Sequence, residues 1–228
     1  MSLNFAAQAS ALAVLSQYPD HSDVDLQDLF RLRCQVFRGR LEWDVQTQNG
    51  LEKDDYDHCN PVHIIARQAD GEIAGCCRLL PTTGPYMLRD TFPQLLGAHA
   101  APRDTAIMEI SRFAVTQAPR HGFGFTDVPR QLIKAIVAYA LQNRINHFVF
   151  ATTVGFERLI RRLGVHCYRL HEPMQVGIEK SVALWFSIDD VTLKALGHSA
   201  EALIAGQGWE SCEVRLAGDA GVASALRN

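Results

Sequence analysis

The 228-residue sequence lacks several features that would place it in a special class of protein. No apolar run approaches the roughly 20 residues of a membrane-spanning helix. The first residues lack the basic and long apolar regions of a secretory signal, so we expect a cytoplasmic protein. With a net charge of −3 the chain has no overall excess of positive charge. We therefore expect neither nucleic acid nor a membrane as a partner.

Signals for metals, disulfides and cofactors are also missing. The six cysteines form no Cys-x-x-Cys pair, which predicts reduced thiols. His58, Cys59 and His63 lie close together, but no fourth ligand follows at a usual spacing, so no metal site is predicted. Ser111 has no neighbouring histidine that would suggest a hydrolase triad. No Gly-x-Gly-x-x-Gly turn follows the first predicted strand, and we expect no cofactor.

The order of predicted elements indicates one α/β (α+β) domain. Two strand-like runs flank Asp70-Gly71, which is a strong hairpin signal. The predicted helices cover about residues 23–38, 127–143 and 156–163 and a segment after 190, and the predicted strands cover 62–68, 72–80, 106–115, 147–154, 165–170 and 181–188. This order predicts a mixed twisted sheet flanked by helices over residues 1–228, with 1–22 and about 195–228 as peripheral arms.

Charged residues stand out inside one apolar strand. Simple alternation places Glu109 and Ser111 on one face and Ile110 and Arg112 on the other. Charges in such a run are costly to bury unless they are paired. Possible partners are an arginine in the preceding strand and acidic residues in the long segment 39–61, namely Arg78, Glu52, Asp54, Asp55 and Asp57. We expect the chemistry to lie where these charges meet.

Four sequence blocks together resemble the LuxI-type acyl-homoserine-lactone synthases. The blocks are Leu32-Arg33-x-x-Val36-Phe37-x-x-Arg40-Leu41-x-Trp43, Glu52-x-Asp54-x-Tyr56-Asp57, Gly75-Cys76-x-Arg78-Leu79-Leu80-Pro81-Thr82-Thr83-x-Pro85-Tyr86 and Glu109-Ile110-Ser111-Arg112-Phe113. They follow the order and spacing of that family across roughly residues 25 to 190. The resemblance implies a fold similar to the N-acetyltransferases. It also implies acyl transfer from a thioester, usually on acyl carrier protein, to the amine of S-adenosylmethionine for quorum sensing. Acyl-homoserine lactone and methylthioadenosine are then released.

The resemblance also suggests the site residues. The predicted catalytic residues are Glu109, Arg112 and Asp54, and the predicted S-adenosylmethionine-binding residues are Arg33, Phe37, Trp43, Asp54, Asp57, Arg78 and Arg112. Glu109 suits the base that the protonated substrate amine requires, although a structural salt bridge is the alternative. Each arginine can orient the substrate carboxylate or pair with an acidic residue. Phe37 can pack against the substrate or belong to the core.

The acyl chain needs an apolar tunnel, and its carrier needs a docking surface. The predicted acyl-pocket residues are Phe113, Phe150, Thr152, Thr153 and Trp185. The threonines are equally compatible with ordinary strand positions. The densest basic helix carries Arg158, Arg161 and Arg162, which can dock an acidic carrier protein or simply form a solvated face.

Two other functions remain open from the sequence. One is an N-acyltransferase that uses acyl-coenzyme A on another amine. Gly122-Phe123-Gly124 precedes a helix as the pyrophosphate turn of such enzymes does, but Pro119 occupies the position of the required Gln or Arg. The other is a non-catalytic domain that binds an acyl or adenosyl ligand.

Overall fold

The computed structural model describes residues 11–16, 23–68, 70–116 and 127–197. The strands are β1 (Ala11–Ser16), β2 (Thr47–Gln48), β3 (Leu51–Glu52), β4 (Val62–Arg67), β5 (Ile73–Pro81), β6 (Ile107–Val115), β7 (His147–Thr153), β8 (Cys167–Arg169), β9 (Met174–Val176) and β10 (Glu179–Ser187). The α-helices are α1 (Asp23–Arg33), α2 (Met87–Asp90), α3 (Asp127–Gln142), α4 (Val154–Arg162) and α5 (Asp190–Ala195). A π-helical segment at Cys34–Arg40 continues α1, and 3₁₀ turns form at Asp55–His58 and Pro93–Leu96.

Eight of the described strands form one mixed sheet in the order β1-β4-β5-β6-β7-β10-β8, with β9 also paired to β10. Neighbouring strands run antiparallel except for β6 and β7, which are parallel. Their pairing covers only Ile107–Glu109 and His147–Val149. Beyond these residues the two strands no longer pair, which leaves a gap in the hydrogen bonding of the sheet. The predicted mixed sheet with flanking helices is confirmed.

One face of the sheet is covered by α3, α4 and α5. Apolar spacing along α3 buries Leu132, Ile133 and Ile136 against strand residues such as Leu79 and Phe148. At the start of α4 the Thr153 hydroxyl accepts a 3.2 Å hydrogen bond from the backbone N–H of Phe156. The helix therefore begins at Val154, two residues earlier than the apolar pattern predicts.

The opposite face carries two separate apolar clusters. The first packs α1 and the π-helical segment against β4 and β5, and includes Leu29, Phe37 and Ile65. The second packs α2 and the 3₁₀ turn after it against β7 and β10, and includes Leu88 and Val149. Polar residues occupy the space between these clusters, and they belong to the site described below.

Some elements differ from the sequence prediction. Residues 11–16 form the edge strand β1, antiparallel to β4, within a segment predicted to be a peripheral arm. Residues 39–61 are not a plain loop, because β2, β3 and a 3₁₀ turn organise them. The glycine turn at 122–124, most of both predicted arms and Cys212 lie outside the described residues. Among the helices of the described ranges, none combines the length and apolarity needed to cross a membrane.

Candidate active site

A network of buried ion pairs lies between the two apolar clusters. Arg33, at the end of α1, donates from Nε to Glu52 of β3 at 2.5 Å. Its Nη1 and Nη2 donate to the two oxygens of Asp57 at 2.8 and 3.0 Å. All three side chains are at most 1% exposed. Because the guanidinium is fully enclosed by protein carboxylates, its geometry matches the ion-pair interpretation rather than contact with a substrate.

Arg78 of β5 extends this network toward the second cluster. Its Nη1 donates to Asp57 at 2.8 Å and to Asp54 at 2.5 Å, and its Nε donates to the Ser111 hydroxyl at 3.0 Å. The side chain has no exposed surface. The 3₁₀ turn that carries both aspartates is itself capped by them, since Asp54 accepts from Tyr56 N and Asp57 accepts from Asp54 N. The acidic block thus folds around the arginines that it pairs with.

A β-bulge brings Arg112 into the same network, and the predicted alternation is wrong for this residue. Cys76 pairs with Ala114 and Arg78 pairs with Ser111, so that two residues of β6 lie opposite one residue of β5. Arg112 occupies the left-handed region with a φ of 51°. Its guanidinium therefore reaches Asp54 at 2.7 Å and Glu52 at 3.0 Å, on the same side as Glu109.

Three guanidiniums in this network are matched by three carboxylates, from Glu52, Asp54 and Asp57. Burial alone would raise the pKa of Asp57, but the charges of Arg33 and Arg78 outweigh it and hold this pKa well below its usual range. For Arg112 burial is the larger effect. It lowers the pKa of this guanidinium, although the charges of Glu52 and Asp54 act to raise it. Such matching is what makes so many buried charges tolerable.

Only two members of the network reach the surface. The Asp54 side chain is 13% exposed and the Arg112 side chain is 10% exposed, whereas the others are at most 1% exposed. A bound molecule can therefore touch this charged pair without any rearrangement of the network. Of the predicted polar binding residues, the structure gives Asp54 and Arg112 this access and encloses Arg33, Asp57 and Arg78.

Glu109 lies beside the network with a different set of partners. Its two carboxylate oxygens accept the backbone N–H groups of Met87 and Leu88 at 2.8 and 2.5 Å, at the start of α2. Burial raises the pKa of Glu109 to about 7, although these hydrogen bonds and the charges of Arg78 and Arg112 act to lower it. In the described part of the chain it forms no ion pair. The salt bridge considered as its structural alternative is therefore not formed.

Met87 was not predicted as part of this site. Its Sδ lies 3.3 Å from an Nη atom of both Arg78 and Arg112, so one thioether contacts two guanidiniums. Tyr56 closes the same region, since its ring centre lies 5.7 Å from the Arg78 guanidinium and its hydroxyl lies 2.8 Å from that of Thr91. Nothing in the sequence marks Met87 as a contact of two arginines. Its only hint is that it directly follows Tyr86, the last residue of the third block.

Phe37 and Trp43 stack on each other, with ring centroids 5.3 Å apart and planes inclined by 21°. Phe37 is buried in the first apolar cluster, and the Arg112 guanidinium lies 5.4 Å from its ring centre. The position of Phe37 thus matches the core interpretation, and its ring also packs against the Arg112 guanidinium. Trp43 is half-buried and packs against the same cluster.

The predicted acyl-pocket residues do not all lie together. Phe113 and Phe150 belong to the α3/α4 face of the sheet, whereas Trp185 belongs to the opposite face. Trp185 there donates a 3.2 Å hydrogen bond to His147. Thr153 is the cap of α4, and Thr152 pairs with Val182 of β10. A single pocket on one face cannot include both Trp185 and Phe113.

The three arginines predicted to dock a carrier are exposed on α4. The buried Glu157 accepts hydrogen bonds from Arg161 at 3.0 Å and from Arg169 of β8 at 2.8 and 2.9 Å. These contacts join α4 to the sheet edge. Within the described ranges, Arg158 and Arg162 have no ion-pair partner, so the uncompensated positive charge of this helix belongs to them.

Comparison with known proteins decides the family. The sequence profile described as autoinducer synthase matches residues 17–196. The chain belongs to the autoinducer synthase family. An acyl-homoserine-lactone synthase of Pseudomonas aeruginosa is 38% identical over 173 residues, which cover 75% of this chain and 86% of the relative. An acyl-homoserine-lactone synthase of Aliivibrio fischeri is 39% identical over 177 residues, which cover 76% of this chain and 92% of that relative.

Solved structures agree with this assignment. The AHL synthase LasI superposes with a TM-score of 0.77 at 36% identity, over 83% of this chain and 95% of LasI. BjaI superposes with a TM-score of 0.75 at 25% identity, over 91% of this chain and 93% of BjaI. It is a coenzyme A-dependent acyl-homoserine lactone synthase solved with SAM and isopentyl-CoA. A Lactobacillus plantarum protein assigned to the N-acetyltransferases shares the fold alone, with a TM-score of 0.54 at 15% identity over 79% of this chain and 99% of the neighbour. The predicted family, enzyme class and N-acetyltransferase-like fold are confirmed.

Proposed function

We propose that this autoinducer synthase moves an acyl chain from acyl carrier protein to the amine of S-adenosylmethionine and then closes the lactone. The observation that carries the mechanism is Glu109, a buried carboxylate with a pKa raised to about 7 that lies beside the accessible Asp54–Arg112 pair. A base with this pKa is half ionised near neutral pH, where it can take a proton from an ammonium group.

The first step is amide formation. Because Glu109 is as buried as Arg33, the ammonium group of S-adenosylmethionine gives its proton to Glu109 through a water molecule, and the free amine attacks the thioester carbonyl. As the amide bond forms, the attacking nitrogen gives up one of its two remaining protons to the sulfur, the carbon–sulfur bond of the thioester breaks, and the carrier leaves as a thiol. Because the N–H groups of Met87 and Leu88 hold both oxygens of Glu109, the carboxylate stays fixed on the sheet during the transfer.

The second step is ring closure. The carboxylate of the same substrate attacks its own γ-carbon, the bond from that carbon to sulfur breaks, and methylthioadenosine leaves as a neutral thioether. The sulfonium is already a good leaving group, so the enzyme has to hold the chain in a folded conformation. Arg112 is the arginine with the access to orient the carboxylate, and Asp54 fixes the guanidinium at 2.7 Å.

The experiment that tests this function is a product assay. Purified protein is mixed with S-adenosylmethionine and matched acyl thioesters of acyl carrier protein and coenzyme A, and products are measured by mass spectrometry. We expect methylthioadenosine and an acyl-homoserine lactone in equal amounts, with the faster rate from the carrier protein. A faster rate from coenzyme A would replace the proposed donor, for which BjaI provides a precedent. An acylated amine without methylthioadenosine would refute the function.

The proposed carrier-docking surface consists of Arg158 and Arg162, because Arg161 and Arg169 already pair with Glu157, and Arg169 also lies 4.0 Å from Glu172. Changing Arg158 and Arg162 to glutamate should raise the KM for the carrier-bound donor about tenfold and leave that for acyl-coenzyme A nearly unchanged. The matched control is Arg103→Glu, at an exposed position outside α4. An equal effect on both donors would contradict docking at this surface.

A further inference from the structure

Three aromatic rings meet beside the gap in the sheet. Beyond Glu109 and Val149, β6 and β7 no longer pair, and each strand contributes one phenylalanine to the α3/α4 side. Phe156, in the first turn of α4, lies between them. Its ring centroid is 4.7 Å from that of Phe113 and 6.3 Å from that of Phe150. The rings thus span the gap from one strand to the other.

The gap begins directly next to the proposed base. Glu109 is the last residue of β6 that pairs with β7, and it lies on the face opposite the three rings. A thioester positioned for attack near Glu109 can extend its acyl chain through the gap toward these rings. Both strands supply apolar side chains there, which is the environment that a hydrocarbon chain needs.

We propose that Phe156 limits the length of the acyl chain that this enzyme accepts. This inference rests on the proposed function and makes it more specific, since it assigns short acyl chains as the preferred donors. The rings of Phe113 and Phe150 are anchored on strands within the sheet, whereas Phe156 enters from a helix and contacts both. A long chain has to displace this ring, and overpacking of a filled apolar space is unfavourable.

Thr153 determines where the Phe156 ring lies. The threonine hydroxyl accepts the backbone N–H of Phe156 at 3.2 Å and so orients the first helical turn. The ring position is therefore fixed by a cap and by two aromatic neighbours. Truncation of the side chain should leave space in the gap without releasing the helix, because both the cap and the apolar underside of α4 remain.

The test compares acyl-length selectivity within one sample. Wild type, Phe156→Ala and Phe156→Leu receive an equimolar mixture of butanoyl, hexanoyl, octanoyl, decanoyl and dodecanoyl donors with S-adenosylmethionine. We expect wild type to favour the short chains. Both variants should raise the ratio of decanoyl to butanoyl lactone by about tenfold or more, since each added methylene in an apolar pocket changes selectivity by at least that order. A ratio is insensitive to any general loss of activity.

The matched control is Tyr139→Leu, because Tyr139 packs against the same apolar core from α3 without a ring contact to the three phenylalanines among the described residues. It should leave the ratio unchanged. Phe156→Trp should move the ratio toward butanoyl. Lactone production by all variants with an unchanged ratio would overturn the role of Phe156 while leaving the proposed function intact. A wild-type ratio that already favours dodecanoyl would also overturn it. A lactone-free wild-type reaction would instead refute the proposed function.

Discussion

Burial of Glu109 should make the stability of this enzyme fall as pH rises toward neutral. The side chain is 1% exposed, and burial raises its pKa from 4.5 to about 7. Below pH 4.5 the carboxyl is neutral in both the folded and the unfolded state. As pH rises, the unfolded state loses its proton first, so unfolding becomes more favourable until the folded carboxyl ionises near pH 7. At about 1.36 kcal/mol per pKa unit, the total loss is about 3 kcal/mol.

Urea unfolding of wild type and Glu109→Gln between about pH 4.5 and 8 measures this loss. Glutamine does not titrate, so the difference between the two free energies of unfolding isolates residue 109 from every other titrating group. Glutamine can accept only one of the two backbone N–H groups, which adds a cost that is constant with pH. We expect wild type to lose about 3 kcal/mol relative to the variant across this range. Parallel stability curves would refute the raised pKa.

A companion measurement of activity separates the role of this carboxyl from general effects. In the lactone product assay, kcat/KM for S-adenosylmethionine should rise with pH up to about 7 in wild type, because Glu109 must be ionised to act as the base. Glu109→Gln should lose most of the turnover and this dependence. Retention of full activity would exclude Glu109 as the base.

Two further substitutions test local geometry by urea unfolding. Both Arg112→Ala and Arg112→Gly remove the ion pairs, but the glycine variant should be more stable by about 1 kcal/mol, since a φ of 51° is unfavourable for a residue with a Cβ; equal stabilities would contradict strain at the bulge. Thr153→Ala should cost about 1 kcal/mol through loss of the α4 cap while Thr153→Ser costs little, and similar losses would show that the hydroxyl does not cap the helix.

The sequence predicts most of the sheet because its strands carry strong local signals. The hairpin around Asp70-Gly71 and the apolar run of β6 are found with their bounds nearly correct. Strand β1 is missed, because residues 11–16 read as part of a loosely organised apolar segment and become a strand by pairing with the free edge of β4. Strand identity there depends on a partner distant in the chain, which local periodicity cannot indicate.

The site is predicted as a set of residues but not as a geometry. The four blocks identify the charged groups, yet the sequence leaves open whether Arg33 binds a substrate or a carboxylate, and its full enclosure by Glu52 and Asp57 emerges only in three dimensions. The bulge at Arg112 carries no glycine or proline signal. Alternation therefore predicts the wrong face for its side chain, and the charge pairing around it shows the actual one.

The charge balance of the network explains why Glu109 is the group left to titrate. The arginine and carboxylate charges around it cancel, three against three, so Glu109 decides the net charge of the site. S-Adenosylmethionine with a protonated amine carries two positive charges and one negative, and an ionised Glu109 balances that excess. In the proposed mechanism the proton passes from the amine to Glu109, both partners lose one unit of charge and the site remains balanced. The buried carboxyl thus costs stability in the free enzyme, and under this proposal the same cost makes it a proton acceptor matched to the cationic substrate.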